Sequence, residues 1–202
     1  RTLDKLGVET HLGVHVTDVT ADDVEVTPKA EPREPFRCPT KTVLWTTGVE
    51  AVPFAGALAK ALGVEQQRGG TIAVLPDLSV PGHPNVWVAG DMSSLHDLPG
   101  VAEVAMQGGR HAGAVVADVI DGTATTVADR KPFRYHDFGT AAYIARRQAV
   151  VETGPLRLSG LIGWLAWGLI HVAFLAGIRN RMGTVLTWSA TLPSFVTATP
   201  LS

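Results

Sequence analysis

The stretch Asn85-Val-Trp-Val-Ala-Gly-Asp91, followed after a short loop by Leu98-Pro-Gly-Val-Ala-Glu-Val-Ala-Met-Gln-Gly-Gly-Arg110, admits few folds. Val86, Val88 and Ala89 have the bulk of a core strand and Asn85 after Pro84 bounds them, so a buried strand is predicted over Val86–Ala89. Gly90 lets a neighbouring group approach the backbone. Asp91 puts a carboxylate at the strand's carboxyl end, where open α/β sheets bind ligands. A helix is expected from near Gly100 to about Ile120. Taken alone, a Gly-Asp pair fits equally well as an Asx-type turn before a helix cap in an ordinary α/β domain.

The 202 residues suffice for one or two domains with an ample core. The chain opens without Met or a signal-peptide pattern, directly on the helix-end pattern Leu3-Asp-Lys-Leu-Gly7, and so reads as part of a longer chain. Val8 to Val26 alternates apolar and polar positions around a turn at Thr20–Asp23, predicting short antiparallel strands. His11 and His15 fall here with no third ligand near in sequence, and no metal site is assigned. Pro28, Pro32, Pro35 and Pro39 among charges predict a surface loop. Thr42–Gly48 predicts a short buried strand with a glycine turn, Pro53 to Gly63 a helix with apolar residues at 54, 58 and 62, and Gly69–Val74 another strand. Pro76 to Pro84 is a turn-rich connection.

The helix after Gly100 carries Val101, Val104, Ala105 and Gly108 on one face, interleaved with Gly109 and Gly113, which predicts close packing against something flat. Gln107 is polar on that inner side. It either donates to an acceptor carbonyl or satisfies a neighbouring backbone group. Charge is unevenly spread: 9 Lys and Arg stand against 17 Asp and Glu up to Asp129, but 8 against 2 from Arg130 on. The basic last third therefore suits an anionic surface. Cys38 is the only cysteine, which excludes an internal disulfide and a Cys-x-x-Cys pair and points to a reducing compartment.

Leu158 to Ile178 is 21 residues without Asp, Glu, Lys or Arg, which at about 1.5 Å per helical residue would reach across a bilayer core of about 30 Å. Arginines flank it on both sides, so the positive-inside rule selects no orientation. Three readings stay open: a spanning helix, a helix lying in the membrane interface, and a helix buried in the protein or a dimer contact. The interfacial one is favoured, with Trp164, Trp167 and Trp188 as anchors and Arg179 and Arg181 on anionic head groups.

The strand, Gly-Asp pair and helix resemble the last flavin-contacting element of the two-dinucleotide-binding-domain flavoproteins. Thr46-Thr47-Gly48 is similar to the end of the strand leading out of that family's NAD domain. Tyr135-His-Asp137 with Gly139, Ala142-Tyr-Ile-Ala-Arg146-Arg-Gln-Ala149-Val150, and the series Gly160, Trp164, Trp167, His171, Leu175, Gly177, Arg179, Asn180, Arg181 and Trp188 narrow the resemblance. They resemble the carboxyl-terminal half of type II NADH dehydrogenases, the single-subunit NADH:quinone oxidoreductases.

That resemblance implies an α/β fold holding the carboxyl-terminal portions of two Rossmann-like nucleotide-binding domains, 1–48 for NAD and 49–124 for FAD, plus an α+β membrane-binding region at 125–202. It implies non-electrogenic transfer of electrons from NADH through FAD to a membrane quinone, by a monotopic protein on the cytoplasmic face of the cell membrane and with a possible homodimer. Gly48, Gly90, Asp91, Val101 and Ala102 are the implied cofactor contacts, Asp91 toward the ribityl chain and the start of the helix toward the ring's pyrimidine edge. Glu103, Ala105 and Gln107 are the implied quinone contacts. The family's motif there is Ala-Gln-x-Ala-x-Gln, and Glu103 replaces its first Gln. An ionised carboxylate accepts but does not donate, which leaves Gln107 the firmer quinone contact.

Two other readings stand beside this one. A sulfide:quinone oxidoreductase would need redox cysteines, and only Cys38 is present. Alternatively, the chain by itself is a non-catalytic membrane-binding or dimerisation piece, since no Gly-x-Gly-x-x-Gly follows a strand in these 202 residues. Nucleic acid is not an expected partner, because the basic residues interleave with a long apolar run instead of lining an aromatic groove.

Overall fold

The computed structural model describes residues 2–29, 34–96 and 98–194, with backbone alone for 191–194. They fall into two compact units, one taking 1–41 and 138–202, the other 42–137. The fold is mixed α/β.

The first unit starts with α1 (Thr2–Lys5), β1 (Val14–Val19), β2 (Asp23–Pro28) and β3 (Phe36–Pro39), the strands forming an antiparallel sheet in the order β1-β2-β3. The predicted turn is present: Thr20 N–H donates to Asp23 O at 2.9 Å, and the Thr20 hydroxyl donates to the Asp23 carboxylate. Arg37 reaches Asp18, Asp23 and Glu25 across the sheet at 3.2, 2.6 and 2.9 Å. The predicted proline-rich loop needs correction. Phe36–Pro39 pairs with β2 from Asp23 to Val26, because an edge strand tolerates proline on the side that needs no N–H.

The second unit holds α2 (Pro53–Leu62), β4 (Ile72–Ala73), β5 (Ser79–Val80), β6 (His83–Trp87), β7 (Ser93–Ser94) and α3 (Ala102–Ile120). Proline at the start of α2 lacks the N–H that would go unpaired there, and Gly63, in the left-handed conformation, closes the helix by donating to Ala59 O and Lys60 O. Its buried face is Ala55 and Ala59, with Leu58 and Leu62 alongside, while Phe54 is exposed. The core gathers these around Ile72, Val74, Leu78, Val80, Val88 and Leu95.

Three strand expectations are corrected here. The strand expected at Val86–Ala89 runs instead from His83 to Trp87, as a hairpin with β5, and Val88 is buried beyond its end. Gly69–Val74 contributes only Ile72–Ala73, paired in parallel with β7. Thr42–Gly48 forms no strand and is exposed throughout. A strand exists only where a neighbour completes its ladder, and no described strand pairs with this segment.

The chain then returns to the first unit with β8 (Thr140–Ala145), β9 (Gln148–Thr153), β10 (Leu156–Ser159), α4 (Gly160–Phe174) and α5 (Ile178–Ser194). β8 and β9 form an antiparallel hairpin, and β10 extends it. The long apolar run is not one helix. It supplies the end of β10, all of α4 and a break at Leu175–Gly177, where Gly177 takes φ 80°. At 15 residues α4 is about 22 Å long, short of a bilayer core of about 30 Å. Among the described residues no helix is long and apolar enough to cross a membrane.

A buried ion pair ties the second unit together. Arg130 Nη1 donates to Asp77 Oδ2 at 2.9 Å and to Pro84 O at 2.8 Å, both side chains being at most 4% exposed, while the guanidinium lies 5.2 Å from the Trp87 ring centroid. Burial pushes the Asp77 carboxyl up, but hydrogen bonds from Ser79 and Arg130 outweigh it and hold it below the ordinary aspartate value. Arg130→Met, which leaves Asp77 buried and unpaired, is expected to cost about 3–5 kcal/mol in urea denaturation at neutral pH. The carboxylate's contribution to stability is complete above the unfolded-state pKa of about 3.9 and is lost as pH falls through its lower folded-state value. A wild-type stability profile flat from pH 5 down to pH 2 would contradict this.

Candidate functional site

A cavity of about 180 Å³ lies in the second unit, where the chain after β6 meets the start of α3. Gly90, Asp91, Leu98, Pro99, Gly100, Val104 and Gly108 line it, with Leu78 and Phe133. Two glycines bring its walls together. Gly90 has φ 75°, and a Cβ there would sit 3.2 Å from Ala105 Cβ. On α3, a Cβ at Gly108 would meet Leu78 Cδ1 at 3.5 Å and Ala89 Cβ at 3.6 Å. The predicted close packing is present at Gly108, against the chain's own Leu78 and Ala89, but not at Gly109 and Gly113, which are exposed with nothing within 4 Å of an added Cβ.

Asp91 is exposed at the cavity, its Oδ1 3.6 Å from where a Gly100 Cβ would be. The Gly-Asp turn is closed by Ser93 Oγ donating to Gly90 O at 2.8 Å, which leaves the carboxylate out of that turn. No side chain caps α3 at Val101. Val101 and Ala102 are exposed at the helix start, and Ala105 is the residue against Gly90. Gly48, with φ 86°, lies in a separate open depression with Trp45, Glu50, Arg68 and Ser94.

Three polar side chains of α3, Glu103, Gln107 and His111, are engaged by the chain itself. Gln107 grips the backbone of His136 from both sides, donating to its carbonyl at 2.8 Å and accepting from its N–H at 3.0 Å. Of the two uses open to Gln107, the structure displays the backbone one. Glu103 accepts a bond from the Tyr135 hydroxyl at 3.2 Å. Partial burial, then the negative charges of Asp137 and Glu103, raise the Tyr135 phenol above its ordinary value and keep it a donor at neutral pH.

In the first unit, the Trp167 ring stacks on that of Trp188, 5.8 Å away at 11°, and lies 5.3 Å from Tyr143 and 4.3 Å from His171. His171 Nδ1 also pairs with Trp167 O at 2.7 Å. Trp164 and Trp188 line an apolar groove between α4 and α5. Arg179 is exposed, and Arg181 Nε donates to Leu175 O at 2.9 Å. Exposed apolar side chains continue along both helices, among them Ile162, Leu165 and Leu169 on α4 and Ile178, Met182 and Leu186 on α5.

Sequence reasoning passed over Leu78, Phe133, Tyr135 and the Asp77–Arg130 pair as site or support residues. Tyr135 had a signal, as part of the quoted Tyr135-His-Asp137 motif. Leu78 had none, since its left-handed backbone (φ 68°) is unusual for a leucine and is imposed by its surroundings.

Comparison with known proteins matches residues 1–109 to the pyridine nucleotide-disulphide oxidoreductase family. The type II NADH:quinone oxidoreductase Ndh of Mycobacterium tuberculosis is 40% identical over 192 residues, covering 95% of this chain and 41% of the relative. NdhA of the same organism is 38% identical over 189 residues, covering 93% and 40%. The chain thus spans about two fifths of the length of these curated relatives. The solved structure of NDH2 from Plasmodium falciparum in complex with NADH matches with a TM-score of 0.77 at 14% identity, over 100% of this chain and 54% of that one, a likeness of fold.

The two glycine environments make a paired prediction. Gly90→Ala adds a Cβ against Ala105 on a left-handed backbone and is expected to lower stability by about 1–3 kcal/mol. Gly109→Ala, in mid-helix with nothing within 4 Å, is expected to raise it by about 0.5–1 kcal/mol. Thermal unfolding of the two variants checks both signs.

Proposed function

The chain belongs to the pyridine nucleotide-disulphide oxidoreductase family, and on that premise we propose that it is the carboxyl-terminal part of a type II NADH:quinone oxidoreductase, an FAD-dependent enzyme that passes electrons from NADH to a membrane quinone. The observation that carries this reading is Asp91 at a glycine-lined cavity beside the start of α3. The similarity of sequence to type II NADH:quinone oxidoreductases over nearly the whole chain supports it.

The residues present fit a flavin. Gly90 and Gly100 line the cavity, Asp91 offers an acceptor for a ribityl hydroxyl, and the amino end of α3 at Val101 and Ala102 presents positive dipole to an anionic ring edge. When bound, FAD would take a hydride from NADH and yield electrons singly or in pairs. Gly48 would lie near the nicotinamide, at the end of an NAD domain formed by 1–48. Residues 49–124 would close the FAD domain. The quinone would meet the wall that Glu103, Ala105 and Gln107 build, the polar side chains of which hold Tyr135 and His136. Both nucleotides' pyrophosphate-binding fingerprints would come from sequence outside these 202 residues.

Residues 125–202 would hold the protein on the cytoplasmic face of the membrane. The exposed apolar faces of α4 and α5 with Trp164, Trp167, Trp188, Arg179 and Arg181 suit an interfacial seat on anionic lipid. The same faces would also suit a homodimer. In a sulfide-oxidising relative, which needs two cysteines for its disulfide step, these 202 residues would supply Cys38 alone.

In the full-length enzyme, Asp91→Ala is expected to weaken FAD binding by about tenfold, the worth of one hydrogen bond to a charged acceptor. Unchanged affinity by flavin fluorescence titration would remove Asp91 from the site. Leu169→Glu changes an exposed side chain and should preserve folding. It is expected to release the protein from phosphatidylglycerol vesicles in sedimentation. A protein that sediments as before, or that never binds them, would exclude the interfacial seat.

A further inference from the structure

Residues 131–136, which have no regular secondary structure, run along α3 as a strap and supply a wall of the cavity through Phe133. Phe133 is seated from two sides. Its N–H donates to Pro76 O at 2.6 Å, and its ring lies 5.5 Å from that of His111.

Three side chains of α3, each four residues from the next, fasten the strap. His111 Nε2 meets Lys131 O at 3.0 Å, Gln107 takes both backbone groups of His136, and Glu103 receives the Tyr135 hydroxyl. Positions four apart stack along one stripe of a helix. The neighbouring stripe, Val104 and Gly108, lines the cavity itself. A backbone N–H and carbonyl gripped together by one amide fix both the position and the rotation of a peptide, so the strap's register on α3 is set at His136.

We infer that the strap is a latched wall of the cavity: Phe133 is the group that touches the planar redox ring seated there, and Gln107 is a positioning residue that acts through the backbone of His136. The inference rests on the oxidoreductase reading for the identity of the ring. It gives the Glu103 and Gln107 side chains work that an amide or carboxylate pointed at a ligand could not do, because both are committed to the strap. The ring is either the flavin's or the quinone's, since both offer a flat face to an aromatic side chain.

The test uses the full-length, FAD-loaded enzyme with Phe133→Leu, Gln107→Leu, the double variant and Gln107→Glu. Turnover is read with menadione and separately with ferricyanide, alongside the flavin absorption spectrum. Each single variant is expected to raise the menadione KM about tenfold if the ring is the quinone's, with ferricyanide turnover kept, or to shift the flavin absorption bands if it is the flavin's. The double variant is expected to be no worse than the more severe single, because both changes act through one wall. Gln107→Glu, which keeps an acceptor for the His136 N–H, is expected to recover part of the loss.

Additive effects would overturn the inference by making Gln107 a direct ligand contact, and so would a Phe133→Leu variant that changes neither KM nor spectrum. If the wild type reduces no menadione and binds no flavin, the oxidoreductase reading fails. The latch is then decided by hydrogen exchange at the His136 amide. Exchange at least about tenfold faster in Gln107→Leu supports it, and equal rates overturn it.

Discussion

The approach of Gly90 to Ala105 is the contact on which the second unit depends. With a Cβ at Gly90 the two residues would stand 3.2 Å apart, so α3 lies as near to the turn after β6 as an α-carbon without a side chain allows. That closeness carries Asp91 to the side of Gly100 and leaves a small cavity between them. It also fixes which face of α3 looks inward. Once Val104 and Gly108 take the cavity side, the residues one position earlier, Glu103 and Gln107, fall on the adjacent stripe where the strap runs.

The Asp77–Arg130 pair serves the same site from a distance in sequence. Asp77 accepts from the Ser79 backbone and hydroxyl at 3.1 and 2.7 Å, holding the turn in which Leu78 adopts its left-handed backbone and enters the cavity lining. Arg130, just before the strap, anchors that turn and the carbonyl of Pro84 together. A buried pair of this kind contributes less net stability than its contacts suggest, because both charges are desolvated. Its use here is geometric. Three chain segments meet in one arrangement that neither partner could leave without exposing an unpaired buried charge.

In the first unit the organising device is again a missing side chain. A Cβ at Gly163 would stand 2.5 Å from Ala149 O, so the first turn of α4 rests directly on β9, and Ala149 is buried beneath it. That contact commits Gly160 to a bridge with Ala149 and makes the start of the apolar run a strand and a helix cap. The 15 residues of α4 are apolar on nearly every side, yet only Gly163 is buried. An apolar surface left open in this way asks for a cover, and lipid is the cover proposed.

Local pattern was enough for α3, whose predicted limits near Gly100 and Ile120 agree with Ala102–Ile120, and for β1 and β2. Each of these is stabilised by contacts close in sequence or by a turn with its own chemistry. Thr42–Gly48 and Val86–Ala89 misled because an apolar run announces burial but not a partner, and a strand is made by its partner. The site divides in the same way. The amino-acid sequence by itself determined that a carboxylate would follow a glycine just ahead of a long helix rich in small residues, since spacing and side-chain size are local properties. Only the tertiary structure decided what Gln107 and Glu103 bind, because the backbone of His136 lies 29 residues from Gln107 along the chain and no periodicity records such a distance.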